Sequence, residues 1–201
     1  MIQKPNNWND VKAFDERPKI PAGGYVAKIV QAVKTSASYG DSLNVLIDIA
    51  EGEYAGYYSD MFNHSQDTNR KWKGVLRLWL WKNDGSESDE RSKSIFKGFE
   101  TAVNESNAGE WNWDEAALKG KLIGVLFRSE EWEYEGKSGW VARPFKAVSV
   151  DRIRSGKFSI LKEKPLKRDD VYIPEYSDSD APPVKSPTFM ELESADGDLP
   201  F

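Results

Sequence analysis

The hydrophobic and polar residues between 20 and 160 follow patterns that are mostly typical of β-strands. Residues 25–34 are rich in β-branched side chains and follow a Pro-Ala-Gly-Gly turn signal. Residues 43–49 alternate almost perfectly between apolar and polar, which is typical of a strand with one buried face. A third strand is predicted at 55–62, where three aromatic residues follow a Glu-Gly-Glu turn. These three segments predict an antiparallel meander.

A second group of elements follows a polar stretch. Residues 75–81 fit a strand, although a helix starting near residue 72 also fits; aromatic enrichment and the Asn-Asp-Gly stop at 83–85 favour the strand. Residues 88–107 predict a helix, because their apolar positions form one stripe at i, i+1, i+4 and i+8. A short helical turn is predicted at 114–118, followed by strands at 121–129 and 141–150 around a hairpin tip at 132–140.

The order of these elements predicts the fold class. Three strands, an elaborated insertion with one helix and two final strands are the order of an OB-fold. We therefore predict a mainly β protein with an OB-fold-like, five-stranded antiparallel barrel over residues 20–160, after an N-terminal extension over residues 1–19. Residues 161–201 are predicted to be a disordered acidic tail, since low apolar content with high charge cannot offset the entropy of ordering. A tail that wraps back over the domain is the alternative.

Charge divides the chain into two unequal parts. The whole protein carries a net charge of −5 over 201 residues. Residues 169–201 hold nine acids, one base and five of the ten prolines, so this segment carries −8 and the rest of the chain +3. The body, unlike the chain as a whole, is therefore suited to a polyanionic partner.

Several chemistries are excluded by the residues that are missing. Cysteine is absent and His64 is the only histidine, which removes disulfides, thiolate catalysis and zinc sites built from Cys or clustered His. We expect no catalytic residues, no metal and no cofactor, because no nucleophile–base pair and no glycine-rich phosphate loop is present. No apolar run approaches the ~18 residues of a membrane span and the first residues do not form a secretory signal, so we expect a soluble cytoplasmic protein.

Aromatic and basic residues interleave repeatedly in the body. Single-stranded nucleic acid is bound by this combination, since cations contact phosphates while exposed rings stack on bases. Alternation predicts that Arg77, Trp79 and Trp81 share one strand face. The alternative is that about half of the rings belong to the core, as strand aromatics commonly do. The candidate nucleic-acid-binding residues are Lys34, Tyr39, Arg70, Lys71, Trp72, Lys73, Arg77, Trp79, Trp81, Trp132, Tyr134, Lys137, Trp140 and Arg143.

The last six residues carry a more specific signal. Asp196-Gly197-Asp198-Leu199-Pro200-Phe201 resembles the acidic tip of bacterial single-stranded DNA-binding proteins, whose final residues are acids, an apolar residue, Pro and Phe. The resemblance implies that the tip binds a replication or repair partner, with the ring and the terminal carboxylate entering a basic-rimmed apolar pocket. The partner-binding candidates are Asp196, Asp198, Leu199, Pro200 and Phe201. Only two acids precede the apolar end, which predicts weaker binding.

The body is similar to a different group. Short strings across residues 71–156 resemble phage-encoded single-stranded DNA-binding proteins, and they are Lys73-Gly74-Val75, Lys82-Asn83-Asp84-Gly85-Ser86, Phe96-Lys97-Gly98-Phe99, Glu105-Ser106-Asn107, Leu118-Lys119-Gly120-Lys121 and Val150-Asp151-Arg152-Ile153-Arg154-Ser155-Gly156. The resemblance implies a role in phage replication or recombination. We therefore expect a non-enzymatic protein that binds single-stranded DNA without sequence preference and recruits proteins through its tip, either as a monomer or as a homo-oligomer. A protein–protein adaptor, a single-stranded RNA-binding protein and a metal-dependent nuclease are the alternatives.

Overall fold

The computed structural model describes residues 2–10, 18–38 and 40–167. A five-stranded antiparallel sheet dominates it, with the strands in the order β3-β2-β1-β4-β5. The strands are β1 (Gly23–Ala37), β2 (Gly40–Ile49), β3 (Val75–Trp79), β4 (Leu122–Tyr134) and β5 (Lys137–Val148). The helices are α1 (Tyr57–Asn63), α2 (Glu87–Ser106) and α3 (Val150–Arg154), with 3₁₀ turns at Trp8–Asp10 and Glu115–Leu118. The predicted mainly β class with five antiparallel strands is confirmed.

The third strand predicted at 55–62 is wrong, because most of that segment forms α1 and β3 takes the third place in the sheet. The Asp48 carboxylate on β2 accepts the N–H of Tyr58 at 2.9 Å and the hydroxyl of Ser59, which holds α1 against the sheet. Tyr58 is buried in the core. The aromatic residues that suggested a strand thus pack inward from a helix of seven residues, which is too short for its period to be recognised.

Strand β1 is the central strand of the sheet. Its residues Gly23–Lys28 pair with β4, its residues Ala27–Ala37 pair with β2, and a bulge, which commonly bends a strand, lies between Ile29 and Gln31. The two edge strands, β3 and β5, approach each other with Cα atoms within 8 Å. No hydrogen-bonded ladder joins them in the part of the chain that the structure describes. The topology is compatible with an OB-type barrel that remains open between its edges.

The core lies between the inner face of the sheet and α2. Helix α2 begins after Ser86, whose hydroxyl accepts the N–H of Asp89 at 3.2 Å, and it buries Phe96, Phe99 and Val103. The helix predicted at 88–107 is therefore confirmed. The sheet contributes its alternate residues, as the strand pattern predicted, and the innermost of these are Ala27, Ile29, Val45, Ile47, Leu76, Ile123, Val125 and Phe127.

Part of the outer face of the sheet is covered by the chain that follows β5. A Cβ atom at Gly124 would lie 2.6 Å from Ile153 Cγ1 on α3, and one at Gly24 would lie 2.7 Å from the Phe158 ring. Glycine is required at both positions because the covering side chains approach the backbone so closely. Val26 and Leu126 are buried in the same layer. This cover lies over β4 and the start of β1.

Strands β4 and β5 continue past β1 as a two-stranded arm, residues 128–143. The arm ends in a turn at Glu135 and Gly136, whose φ angles of 48° and 70° are typical of a type I′ hairpin. Most of the tip predicted at 132–140 is therefore strand. Lys164 forms a parallel bridge with Glu130, and the Leu166 N–H donates to Glu131 at 3.0 Å. The compact unit consequently extends to Leu166, beyond the predicted boundary at 160.

None of the helices in the described ranges is long and apolar enough to cross a membrane. The predicted disordered tail begins at residue 161, but Lys164 and Leu166 are paired with the arm, so the start of that prediction is wrong. The rest of the predicted tail, residues 168–201 with the tip, lies outside the described residues.

Candidate nucleic-acid interface

The outer face of β2, β3 and the C-terminal half of β1 lies away from the chain that follows β5, and we call it the open face; most of its side chains are exposed or half-buried, and Ser42 is buried. Residues between its positions, such as Leu43, Val45 and Leu78, point to the core and are buried, so their neighbours lie on the outside. Pairing across the three strands aligns the open face in three rows, which are Thr35–Ser42–Trp79, Val33–Asn44–Arg77 and Gln31–Leu46–Val75.

A short chain of hydrogen bonds positions the cation on this face. Arg77 Nε donates to Asn44 Oδ1 at 3.0 Å, and Asn44 Nδ2 donates to Thr35 Oγ1 at 2.9 Å. The Arg77 guanidinium carbon lies 5.8 Å from the centroid of the Trp79 ring, which is within cation–π range. The indole of Trp79 is 42% exposed. A charged group and a ring are thereby fixed side by side.

Sequence reasoning found Arg77 and Trp79 but not the residues that hold them. Asn44 and Thr35 are short polar side chains on two different strands. The alternation along β2 placed Asn44 on the solvent side, yet only the register shows that it lies opposite both Thr35 and Arg77. The sequence therefore indicated that Asn44 faces solvent, but its role in holding Arg77 depends on how the strands pair.

The arrangement supports contact with an anion beside a stacking ring. Among the described residues the Arg77 guanidinium donates a hydrogen bond only through Nε, so its two terminal nitrogens have no acceptor there. A guanidinium can donate to a phosphate through such nitrogens, and an exposed indole can stack on a base of any identity.

Three predicted basic residues lie in the loop that leads into β3. The Arg70 guanidinium carbon sits 4.5 Å from the Phe62 ring centroid, and Nη1 donates to the Phe62 carbonyl at 3.3 Å. Lys71 and Lys73 are exposed. Arg70, Lys71 and Lys73 line a polar pocket of about 370 Å³. Because this loop runs directly into β3, its positive charge adjoins the Val75 end of the open face.

Trp72 has a structural role in the same loop. Its Nε1 donates to the Ile47 carbonyl at 2.9 Å, and its ring lies 5.6 Å from Phe62. The side chain is half-buried against the core. Trp72 therefore anchors the basic loop to β2, while its neighbours remain exposed.

Lys34 and Trp81 lie away from the open face. Lys34 is paired with the core residue Leu43 across the ladder, and its ammonium forms an ion pair with Asp41 at 3.1 Å. Hydrogen bonds from Ser36 and Lys34 hold the pKa of Asp41 below its usual range. Trp81 lies beyond the end of β3, edge-on to Phe96 at 5.2 Å. The alternation that placed it with Trp79 stops where the strand stops.

The predicted arm residues divide between two faces. Register places Trp132, Tyr134, Lys137 and Arg143 on one face and Trp140 on the other. Trp132 lies over its cross-strand partner Gly139, since a Cβ there would be 3.2 Å from Trp132 Nε1.

Charge on the arm is partly neutralised. Glu130 accepts from Arg128 at 2.5 Å and lies 3.8 Å from Arg143. Arg128 also lies over the Phe145 ring at 3.8 Å. Residues 128–143 hold four acids and three bases, so the arm offers exposed rings with a net charge of −1, unlike the basic loop. Tyr39, the remaining predicted residue of the body, lies outside the described residues, as do the five residues of the tail tip.

Within residues 2–10, 18–38 and 40–167, no three His, Asp or Glu side chains are grouped so that they could hold a metal ion. The site therefore consists of a ring, a positioned guanidinium and an adjoining basic loop. No protein-family model matches the chain, and no curated protein matches it in sequence.

Proposed function

We propose that the protein binds single-stranded DNA without sequence preference, with the open face as the main contact. The observation that carries the proposal is the pair of Arg77 and Trp79, held side by side by Asn44 on an uncovered sheet face. A base stacks on the Trp79 indole while the adjacent phosphate accepts from the Arg77 guanidinium.

The basic loop extends this contact along the strand. Arg70, Lys71 and Lys73 adjoin one end of β3 and supply charge for further phosphates. Stacking and charge depend on features that every nucleotide has, so the binding is tolerant of sequence. Strands β2 and β3 of an OB-fold are the part that commonly takes oligonucleotides, which agrees with the place of the open face.

A role in phage replication or recombination rests on the resemblance of the body and of the tail tip described above. In this proposal the tip recruits replication or repair proteins, and the residues from Asp169 to Phe201, with their net charge of −8, compete weakly with DNA.

The decisive experiment is a titration of the full chain with oligo(dT) and oligo(rU) of several lengths, followed by tryptophan fluorescence. Stacking on Trp79 should quench the emission, and log affinity should fall with log salt by about 0.7 per neutralised phosphate. A quench with oligo(dT) that exceeds the quench with oligo(rU) supports DNA as the ligand, and the reverse order favours RNA. No quench with either polymer contradicts the proposal and favours a protein–protein adaptor.

Removal of residues 169–201 tests the competition by the tail. The shortened chain should bind oligo(dT) more tightly at low salt, because the competing polyanion is gone, and the difference should vanish at high salt. Equal affinity at low salt would contradict the competition while leaving the open face intact. Incubation of labelled strands with Mg²⁺ or Mn²⁺ provides the control for nuclease activity.

A further inference from the structure

A second aromatic site lies on the other side of β3, between the end of that strand and the segment that follows α2. It is a surface pocket of about 160 Å³, the size of a single side chain rather than of a drug-sized ligand. We call it the aromatic pocket, and the residues that define it are Leu80, Trp81, Phe96, Trp111, Trp113 and Glu115.

The rings of the aromatic pocket form two walls. Trp113 stacks on Trp111 with centroids 5.5 Å apart and planes 11° apart, and it stacks on Phe96 at 5.3 Å. Trp81 stands nearly perpendicular to these rings, at 79° to Trp113 and 84° to Phe96. All four aromatic residues line the same pocket, and the π-face of an aromatic ring attracts a cation.

Trp113 is held in a conformation that a bulky residue rarely adopts. Its φ angle is 67°, in the left-handed region, and its side chain is 51% exposed. Trp111, which supports it, is buried and donates from Nε1 to the Asp114 carbonyl at 2.7 Å. The surrounding hydrogen bonds therefore keep an indole at the surface that would gain from burial.

The charge of the pocket is opposite to that of the open face. Residues 110–115 contain three carboxylates and no base. Glu115 lines the pocket, is half-buried, and has no hydrogen-bond or ion-pair partner among the described residues. Lys34 also lines the pocket, but the nearby Asp41 neutralises its ammonium. A phosphate backbone is repelled by this segment, whereas a cation is attracted to it.

We propose that the aromatic pocket binds an arginine side chain of a partner protein. The guanidinium plane lies against the indole rings and its charge pairs with the Glu115 carboxylate. Arginine suits the site better than lysine, because a planar, weakly hydrated guanidinium stacks on aromatic faces. This site does not depend on DNA binding by the open face, and it gives the protein a contact for basic partners that is separate from the predicted tail tip.

The test uses the full chain labelled with ¹⁵N at the tryptophan indoles. N-acetylarginine amide is titrated in, and N-acetylcitrulline amide serves as the neutral control of the same shape. The arginine probe should shift the Trp81 and Trp113 indole signals saturably, with Trp79 unmoved, and citrulline should bind about tenfold more weakly. The indole signals are assigned from the variants Trp79→Phe, Trp81→Phe and Trp113→Phe.

Matched variants identify the carboxylate. Glu115→Gln should weaken the arginine probe about threefold, while Glu110→Gln, which changes an exposed acid of the same segment, should leave its affinity unchanged. Trp113→Ala should weaken it about tenfold and Trp113→Phe should restore most of the binding. Both Glu variants should keep the wild-type affinity for oligo(dT), which shows that the fold is intact.

Three results would overturn the proposal. These are equal affinity for arginine and citrulline, an equal effect of Glu115→Gln and Glu110→Gln, or no saturable shift of Trp113. A saturable shift of the Trp81 and Trp113 indoles by oligo(dT) would instead assign the pocket to nucleic acid. If the wild-type chain does not bind oligo(dT) at Trp79, the proposed function fails while this inference stands.

Discussion

Trp79 and Trp81 are separated by one residue, yet they belong to surfaces of opposite character. Trp79 lies on the open face beside Arg77, which Asn44 holds in place. Trp81 lies in the aromatic pocket, against Phe96 and Trp113, and the carboxylate of Glu115 lines the same pocket. The presence of exposed aromatic rings therefore does not by itself define which ligand a surface binds. The charge that the fold places next to the ring decides between a base with its phosphate and a cationic side chain.

The largest expected effect separates the two tryptophans directly. Trp79→Ala should weaken oligo(dT) binding by about 1–3 kcal/mol, the range for loss of one stacked base, whereas Trp113→Ala should leave it nearly unchanged. Fluorescence anisotropy of a labelled oligonucleotide measures both. If the two substitutions weaken binding equally, the division between the surfaces does not hold.

The next effect concerns the charge beside the ring. Arg77→Gln should reduce oligo(dT) affinity and lower the salt slope by about 0.7, the value for one phosphate contact on a single strand. Lys34→Gln is the matched control, since Lys34 already pairs with Asp41 and lies off the open face. A slope that changes for Lys34→Gln and not for Arg77→Gln would place the phosphate path on the other side of the sheet.

Acid should loosen the aromatic pocket before it affects the open face. Asp89 accepts the N–H groups of Lys82 and Asn83 and pairs with Lys93 at 3.0 Å, which ties the start of α2 to the chain just after Trp81. Burial alone would raise the pKa of Asp89, but the Lys93 ammonium and these N–H groups outweigh it and lower the pKa.

A carboxyl group with a lowered pKa in the folded state stabilises the fold above its ordinary pKa, and this stabilisation is lost as pH falls through the lowered value. The indole signals of Trp81 and Trp113 should therefore broaden in acid at a higher pH than the signal of Trp79. Asp89→Asn should remove the difference in pH dependence between the two surfaces. Simultaneous broadening of all three signals in the wild-type chain would show that Asp89 holds both surfaces.

The smallest effect is expected on the arm. Gly139→Ala adds a Cβ that would lie 3.2 Å from Trp132 Nε1, so the indole must move by a few tenths of an ångström. We expect a change in unfolding free energy within about 0.5 kcal/mol and a change in oligo(dT) affinity below about twofold. Thermal unfolding and anisotropy measure the two quantities. A larger loss of affinity would mean that Trp132 contributes to binding, and a loss equal to that of Trp79→Ala would make the arm as important as the open face.

Much of the fold was readable from local pattern. Alternation identified β2 and β3, and the apolar stripe identified α2, because each of these elements buries one face against a common core. The segment from Tyr57 to Asn63 was misread, since a helix of seven residues that buries a tyrosine has the same composition as a strand. Its conformation depends on Asp48, nine residues before the helix begins, and no local pattern contains that contact.

Only part of the candidate site could be predicted from the sequence, for a related reason. Arg77 and Trp79 follow from alternation within one strand, but the role of Asn44 depends on pairing between strands. The separation of Trp81 from Trp79 depends on where β3 ends: the Leu80 N–H still donates to the Asp41 carbonyl on β2, whereas Trp81 packs against the ring of Phe96. Tertiary packing determines both the strand pairing and the point where β3 ends, and it overrides the local preference for a strand.

The bridge between Lys164 and Glu130 has a consequence for aggregation through the exposed edge of β4. Strand β1 begins at Gly23, opposite Phe127, so the residues of β4 after Phe127 have no β1 neighbour. Their backbone amide and carbonyl groups on that edge could otherwise pair with a strand of another molecule. The backbone of Lys164 pairs with two of these groups. Its N–H donates to the Ser129 carbonyl at 2.9 Å, and its carbonyl accepts from the Glu131 N–H at 3.0 Å. A few residues of extended chain thus protect this edge of β4 from pairing with a strand of another molecule. A chain shortened at residue 160 would lose that protection while keeping every strand of the sheet.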